Sequence, residues 1–163
     1  MPDAIVLTTE FHERDRIPLV NLLRAYEKGL GVSLCFQDFD AEIAGLPGDY
    51  APPGGALILA HAADGNLVGT VALRALDPAQ GICEMKRLYV APEGRGHGLG
   101  RRLAERALTE AQRLGYRAVR LDTLPAMREA QTLYAALGFR DIANYNGNPV
   151  PGTRFLEKTL EPL

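Results

Sequence analysis

The passage from residue 88 to residue 108, LYVAPEGRGHGLGRRLAERAL, constrains the fold of this 163-residue chain more than any other. The strand-like run ICEMKRLYV ends just before Pro92, because proline cannot donate to a β-ladder and holds the preceding residue extended. After a cluster of glycines, apolar residues recur every three or four positions, which predicts a helix over residues 98–114 that Gly115 ends. We therefore expect a strand, a glycine-rich turn and an amphipathic helix in direct succession.

The glycine-rich turn is typical of an anion-binding site, although a connection that only turns the chain is the alternative. The first turn of a helix has up to four N–H groups without partners, and it lies at the positive end of the helix dipole. Glycines at 96, 98 and 100 would let the main chain approach a diphosphate closely. The turn matches neither the GxGxxG dinucleotide fingerprint in any register nor the Gly-Lys-Ser/Thr ending of a Walker A loop. Positive charge is added by Arg95, Arg101 and Arg102.

The rest of the chain predicts alternating strands and helices. AIVLTT is a strand, and the apolar spacing that follows predicts a helix between Asp15 and Gly29, with a shorter one over residues 38–44. The segments ALILAHA and NLVGTVALRAL flank an Asp-Gly turn and predict a hairpin. RAVRLDT is a strand, and the next helix begins near Pro125, has Ala126 on its buried face and ends at Gly138. FRDIANY and TRFLEKTL are the last two strands.

The resulting order, β-α-(α)-β-β-β-α-β-α-β-β, predicts an α/β (α+β) fold. A mixed, mostly antiparallel sheet of six to seven strands should be flanked by helices on both faces. With 47% hydrophobic residues, the chain can form one good core, so residues 1–163 are expected to be a single domain.

Composition excludes several classes of protein. A net charge of −2 argues against binding nucleic acid or anionic lipid by charge alone. The chain has neither a run of about 18 apolar residues nor a signal-like N-terminus, so we expect a cytoplasmic protein with no membrane partner. Cys35 and Cys83 lack the spacing of a zinc site or a disulfide framework, so free thiols and no metal are expected.

Two motifs together resemble the GNAT superfamily of acetyltransferases. Residues 95–100, RGHGLG, match its signature Q/R-x-x-G-x-G/A, and residues 130–139, AQTLYAALGF, match an A-x-x-L-Y-x-x-x-G-F pattern. A helix and a strand separate the motifs, as in that family, and the matching segment spans residues 82–139. The resemblance implies an acyl-CoA N-acyltransferase fold with acetyl-CoA as co-substrate, and it leaves the acceptor open.

The same resemblance implies which residues contact the coenzyme. The amides of residues 95–101 would hold the pyrophosphate, and a bulged strand end at residues 88–90 would hold the pantetheine arm. An N–H of Leu88 or Val90 would polarise the thioester carbonyl, worth about 3 kcal/mol. Many relatives carry Asn where this chain has Met127, so one polar contact is in doubt, and His97 is expected to face solvent. The candidate coenzyme residues are Leu88, Tyr89, Val90, Arg95, Gly96, His97, Gly98, Leu99, Gly100, Arg101 and Met127.

Two residues are candidates for proton transfer. Tyr134 occupies the tyrosine position of the second motif, which in GNAT relatives is the general acid beside the cofactor sulfur. Glu84 matches the catalytic glutamate of the histone-modifying members, and a carboxylate in an apolar strand needs a reason to be there. It is either the general base or half of a salt bridge to Lys86 or Arg87.

The resemblance implies that the acceptor enters opposite the coenzyme, beside the first helices and the last loop. Asp38 or Glu42 could meet a cation, and Arg87 either pairs with an acceptor carboxylate or has a structural partner. The candidate acceptor residues are Tyr26, Phe36, Arg87, Tyr145, Asn146 and Asn148.

We expect direct transfer of acetyl to a primary amine of a small molecule, an amino acid or similar metabolite, in a ternary complex. An enzyme acting on a protein or peptide amine and a catalytically weak coenzyme A sensor are alternatives. A nucleotide-binding protein is a third class, but this chain lacks the carboxylates placed for Mg²⁺ that such a protein should carry. No nucleic-acid partner is expected, and a homodimer stays open.

Overall fold

A computed structural model of the chain describes residues 4–31, 33–34 and 38–163. The strands are β1 (Val6–Thr8), β2 (Ala56–His61), β3 (Leu67–Asp77), β4 (Ile82–Val90), β5 (Ala118–Thr123), β6 (Arg140–Ile142) and β7 (Arg154–Thr159). The α-helices are α1 (Arg16–Leu30), α2 (Phe39–Ala44), α3 (Leu99–Arg113) and α4 (Arg128–Ala136). Their order along the chain is the predicted one.

All seven strands form one sheet in the order β1-β2-β3-β4-β5-β7-β6. Among the strands described, only β4 and β5 pair in parallel, and α3 makes the crossover between them. The predicted mixed, mostly antiparallel sheet is therefore confirmed. In the described residues no helix combines the length and the apolar character that a membrane span requires.

Alternation along the central strands divides the core between the two faces of the sheet. One face packs against α3 and α4 through residues such as Ile58, Leu73, Met85, Leu103 and Leu121. The other packs against α1 and α2 through Leu19, Leu23, Phe39, Leu57 and Leu59. Cys83 is a buried free thiol on the α3 side, as predicted, and burial raises its pKa to about 12. Cys35 lies outside the described residues.

Two predicted helix boundaries are wrong. Helix α1 continues past Gly29 and ends at Gly31, whose φ of 70° gives the left-handed cap that stops the helix. Helix α4 begins at Arg128 rather than near Pro125, because a turn closed by the Met127 amide and the Leu124 carbonyl precedes it. Ala126 belongs to that turn and is exposed, contrary to its predicted burial.

A cleft opens where β4 and β5 separate. The two strands pair from Ile82 and Ala118 to Glu84 and Arg120, and no further, although both continue. On its other edge β4 has a bulge, since Lys86 pairs with Ala72 and Tyr89 with Thr70, which leaves one extra residue in β4. The C-terminal half of β4 therefore has an edge toward β5 without a strand partner.

Candidate active site

The glycine-rich turn presents an open main chain at the start of α3. Gly98 is the N-cap of the helix, with φ 67°, and Gly96 has φ 87°. A Cβ built on either glycine would have no atom within 4 Å, so nothing in the described chain covers this surface. The geometry suits an anion that approaches the amides directly.

The side chains of the turn divide between solvent and core. Leu99, the first residue of α3, is buried in the core, while His97 is exposed, as expected. Arg95 donates from Nε to the Val90 carbonyl at 3.0 Å, and its guanidinium lies 5.8 Å from the Tyr89 ring centre. Arg101 is exposed and pairs with Glu105 at 3.5 Å. Arg95 thus connects the turn to the end of β4 and occupies the Val90 carbonyl.

Arg102 turns away from the glycines. Its guanidinium donates to the Ile5 carbonyl at 3.0 Å, just before β1. Of the three arginines, only Arg95 and Arg101 therefore remain beside the turn.

The cleft between β4 and β5 contains a cavity of about 30 Å³. Tyr134 is buried in its wall and packs edge-on against Phe139, with ring centres 5.5 Å apart. Burial raises the pKa of the Tyr134 hydroxyl, which keeps it protonated at neutral pH. The cavity brings together several predicted residues, namely Tyr26, Arg87, Leu88, Met127, Tyr134 and Asn148.

Glu84 is fully buried on the face of β4 that points toward α1 and α2. Its Oε1 accepts from Arg74 Nε at 2.9 Å and lies 3.9 Å from Lys86 Nζ. Its Oε2 accepts from the Tyr145 hydroxyl at 2.5 Å and from the Asn146 amide at 3.4 Å. Both oxygens therefore have partners. The expected ion pair exists, but its principal cation is Arg74.

Asp122 lies on β5, beyond the point where the two strands separate. Its Oδ2 accepts from Asn146 Nδ2 and from Asn148 Nδ2, both at 2.9 Å. The loop between β6 and β7 therefore binds carboxylates of both strands, through Asn146 and Tyr145 to Glu84 and through two asparagines to Asp122.

Arg87 is held by Glu42 rather than left free for an acceptor. Its Nε and Nη2 donate to the two carboxylate oxygens at 2.9 and 2.8 Å, and its guanidinium lies 4.9 Å from the Phe39 ring centre. Arg87 itself has a φ of 63°, unusual for a residue with a side chain. The bulge in β4 is therefore connected to α2 by a buried two-point ion pair.

A second cavity of about 400 Å³ adjoins the first on the α2 side. The two share Lys86, Asp122 and Asn148 as wall residues. Tyr134 lines the first cavity, Asp38 lines the second, and Asp122 lines both. Phe36, predicted to contact the acceptor, lies outside the described residues.

Comparison with known proteins decides the family. A family model for the acetyltransferase (GNAT) family matches residues 19–139, about three quarters of the chain. This chain belongs to the GNAT family. It is an acetyl-CoA-dependent N-acetyltransferase.

Relatives of this GNAT enzyme occur in distant organisms. An uncharacterized N-acetyltransferase of Schizosaccharomyces pombe is 37% identical over 135 residues, covering 83% of this chain and 82% of the relative. The IAA acetyltransferase of Azospirillum brasilense is 38% identical over 97 residues, covering 59% of this chain and 63% of the relative. The crystal structure of a GNAT acetyltransferase from Staphylococcus aureus superimposes with a TM-score of 0.81 at 22% identity, covering 97% of this chain and all of the other.

Sequence reasoning missed Arg74 and Asp122 in this GNAT enzyme. Strand alternation could have found Asp122, because Glu84 and Lys86 share one face of β4 while Arg120 and Asp122 share the same face of β5. Polar residues at every second position of two neighbouring strands indicate a charged cluster on one side of the sheet. Within the described chain, no group of three or more His, Cys, Asp or Glu side chains could hold a metal ion.

Proposed function

We propose that this acetyltransferase moves the acetyl group of acetyl-CoA directly to a primary amine of a small molecule, an amino acid or similar metabolite. The observation that carries the proposal is the size of the acceptor side. The cavity of about 400 Å³ beside Asp122 falls within the range typical of small-ligand sites, about 300–1,000 Å³. The β6–β7 loop, hydrogen-bonded to Glu84 and Asp122, forms one wall.

The open main chain of the turn fits the coenzyme's diphosphate. Amides at residues 95–101, at the positive end of α3, would bind it, with the side chains of Arg95 and Arg101 adjacent. A side chain on Gly96 or Gly98 would project into the space that the ligand needs, and the structure leaves that space open. The pantetheine arm would follow the unpaired edge of β4 beyond the bulge.

Tyr134 is the proposed proton donor to the departing sulfur. Its hydroxyl stays protonated because burial raises its pKa, and it lines the cavity at the inner end of the cleft. A main-chain N–H near Leu88 would stabilise the oxyanion that forms during transfer. The Azospirillum relative, named after IAA, supports a small acceptor.

A thiol-release assay over a panel of acceptors tests the proposal. The panel contains amino acids, arylalkylamines, polyamines, an aminoglycoside and lysine-containing peptides, each with acetyl-CoA. We expect the highest kcat/KM for a small primary amine, with the N-acetyl product confirmed by mass spectrometry. Preference for the peptides would assign the enzyme to protein substrates. Coenzyme binding with no acceptor consumed would instead indicate a coenzyme A sensor.

A further inference from the structure

We propose that Asp122, rather than Glu84, receives the acceptor's ammonium group and takes its proton. The inference rests on the proposed function, since it concerns the acceptor of the same reaction. It begins from a difference between the two carboxylates that the β6–β7 loop binds.

Both carboxylate oxygens of Glu84 already have partners. It is fully buried, its Oε1 is bound by Arg74, and its Oε2 is bound by Tyr145 and Asn146. An incoming amine would have to displace a buried ion pair or a short hydrogen bond. Removing a partner from a buried carboxylate costs more than one new contact returns.

Asp122 has one oxygen committed and one available. Both Asn146 and Asn148 donate to Oδ2, whereas Oδ1 has no hydrogen bond or ion pair among the described residues. The side chain is half-buried and lines both cavities, and Tyr134 lines the smaller of the two. The two amides fix the carboxylate's orientation, as is needed in a group that positions a nucleophile.

Proximity to Tyr134 completes the geometry. Asp122 and Tyr134 line the same cavity of about 30 Å³, so an amine held at Asp122 is adjacent to the inner end of the cleft. In the step proposed, one N–H bond of the ammonium breaks and an O–H bond forms on Asp122. The freed lone pair forms the C–N bond while the C–S bond breaks, and the sulfur takes the Tyr134 proton. The second proton lost by nitrogen restores Tyr134, and Asp122 releases its proton to water.

The groups around Asp122 define how a pH profile must be interpreted. The charged or titratable side chains around Asp122 are Glu84 and Lys86 on β4, Tyr26 on α1, Tyr134 on α4, and Tyr145 in the β6–β7 loop. The larger cavity is also lined by Arg74 on β3, Glu42 on α2, and Asp38. Burial raises the pKa of each of these three tyrosines and lowers that of Lys86. The tyrosines therefore keep one charge state between pH 6 and 9, where the acceptor amine is mostly protonated.

The test compares Asp122→Asn with wild type, using the best amine of the panel, between pH 6 and 9. The Asn oxygen can still accept from Asn146 and Asn148, so the fold should persist. Wild type should show a kcat/KM nearly independent of pH, because Asp122 deprotonates bound ammonium. The variant can acetylate only the fraction of the amine that is already neutral in solution. Its kcat/KM should be about a hundredfold lower at pH 7 and rise about tenfold per pH unit.

A binding measurement gives a readout besides turnover. Saturating amine should raise the melting temperature of wild type in the presence of coenzyme A, and this increment should disappear in Asp122→Asn while the increment due to coenzyme A remains. Asp141→Asn is the matched control, since Asp141 is an exposed aspartate on β6 that pairs with Arg154. It should keep the wild-type profile and both increments.

Glu84→Gln separates the two carboxylates. We expect a lower melting temperature, from the lost ion pair with Arg74, and a profile as flat as that of wild type. A steep profile in Glu84→Gln, or a flat one in Asp122→Asn, overturns the assignment. If Asp122→Asn does not fold, Asp122→Ser makes the same comparison, because its hydroxyl accepts hydrogen bonds but takes no proton. Wild type that consumes no amine contradicts the proposed function itself, a result distinct from either variant's profile.

Discussion

At the scale of single residues, the charged groups of the site show where sequence reasoning stops. Glu84 was expected to be either the general base or half of a salt bridge to Lys86 or Arg87, its neighbours in sequence. Its main partner is Arg74, which lies directly opposite on β3 in the strand register. Regular alternation would place Arg87 on the face opposite Glu84, but the bulge turns it toward Glu42 on α2. Register and bulges depend on the whole hairpin, so local sequence does not reveal them.

Tyr134→Phe tests the proposed proton donor. We expect kcat to fall at least about tenfold, since the departing thiolate loses its acid, while the affinity for acetyl-CoA stays within a few-fold. Because burial raises the pKa of Tyr134, wild-type turnover should show no alkaline decline due to this group below about pH 10. Steady-state kinetics from pH 6 to 10, with an acceptor for which chemistry is rate-limiting, measure both effects.

Tyr116→Phe is the matched control for that substitution. The Tyr116 hydroxyl donates to the Gly54 carbonyl, far from the cleft, so its loss should lower the free energy of unfolding by about 1 kcal/mol and leave kcat unchanged. Equal turnover of wild type and Tyr134→Phe would remove Tyr134 from the mechanism.

At the scale of elements, the glycine-rich turn and its flanking segments were predicted within a residue or two. Pro92 follows the end of β4, and the helical spacing of apolar residues begins directly after the glycine-rich turn. Both boundaries are therefore determined by residues next to them in sequence. The C-terminal end of α1 and the N-terminal end of α4 were predicted wrongly. Gly29 and Gly31 are both plausible stops, and only the left-handed conformation at Gly31 distinguishes them.

Gly98→Asp tests the turn as the coenzyme's diphosphate site. A carboxylate at this position would repel the diphosphate and fill the open face of the turn. We expect the affinity for acetyl-CoA to fall at least about a hundredfold, or about 2.7 kcal/mol. Isothermal titration of the folded variant with acetyl-CoA gives the affinity directly.

Gly115→Asp supplies the control at the other end of α3. Gly115 also has a positive φ, 90°, and a Cβ there also meets nothing within 4 Å. Both variants should therefore show a similar loss of stability, from the left-handed backbone, whereas only Gly98→Asp should lose the coenzyme. Undiminished binding by Gly98→Asp would place the diphosphate elsewhere.

At the scale of the whole molecule, the sheet separates the proposed coenzyme-binding side from the proposed acceptor-binding side. The turn at the start of α3 and the edge of β4 form the proposed coenzyme side, and α2 with the β6–β7 loop forms the proposed acceptor side. The resemblance to GNAT enzymes predicted this arrangement. The cavity between β4 and β5 could not be predicted, because it depends on where the pairing of these two strands ends.

Ligand-linked unfolding tests the molecule as a coenzyme A protein. Acetyl-CoA at about 100 times its Kd adds about 2.7 kcal/mol to the free energy of unfolding. For a domain of this size, that should raise Tm by about 8 °C in a thermal-shift experiment. Free coenzyme A should act similarly and Mg-ATP should not. A shift with Mg-ATP alone would favour a nucleotide-binding protein.

The hydrogen bonds of the β6–β7 loop also bear on how such an enzyme can diverge. Tyr145, Asn146 and Asn148 hold the carboxylates of β4 and β5, so the segment that borders the acceptor also fastens the open part of the sheet. Substitutions in this loop that accommodate a new amine would also remove some of these hydrogen bonds. Changes of acceptor therefore carry a folding penalty, and compensating substitutions elsewhere in the sheet should accompany them.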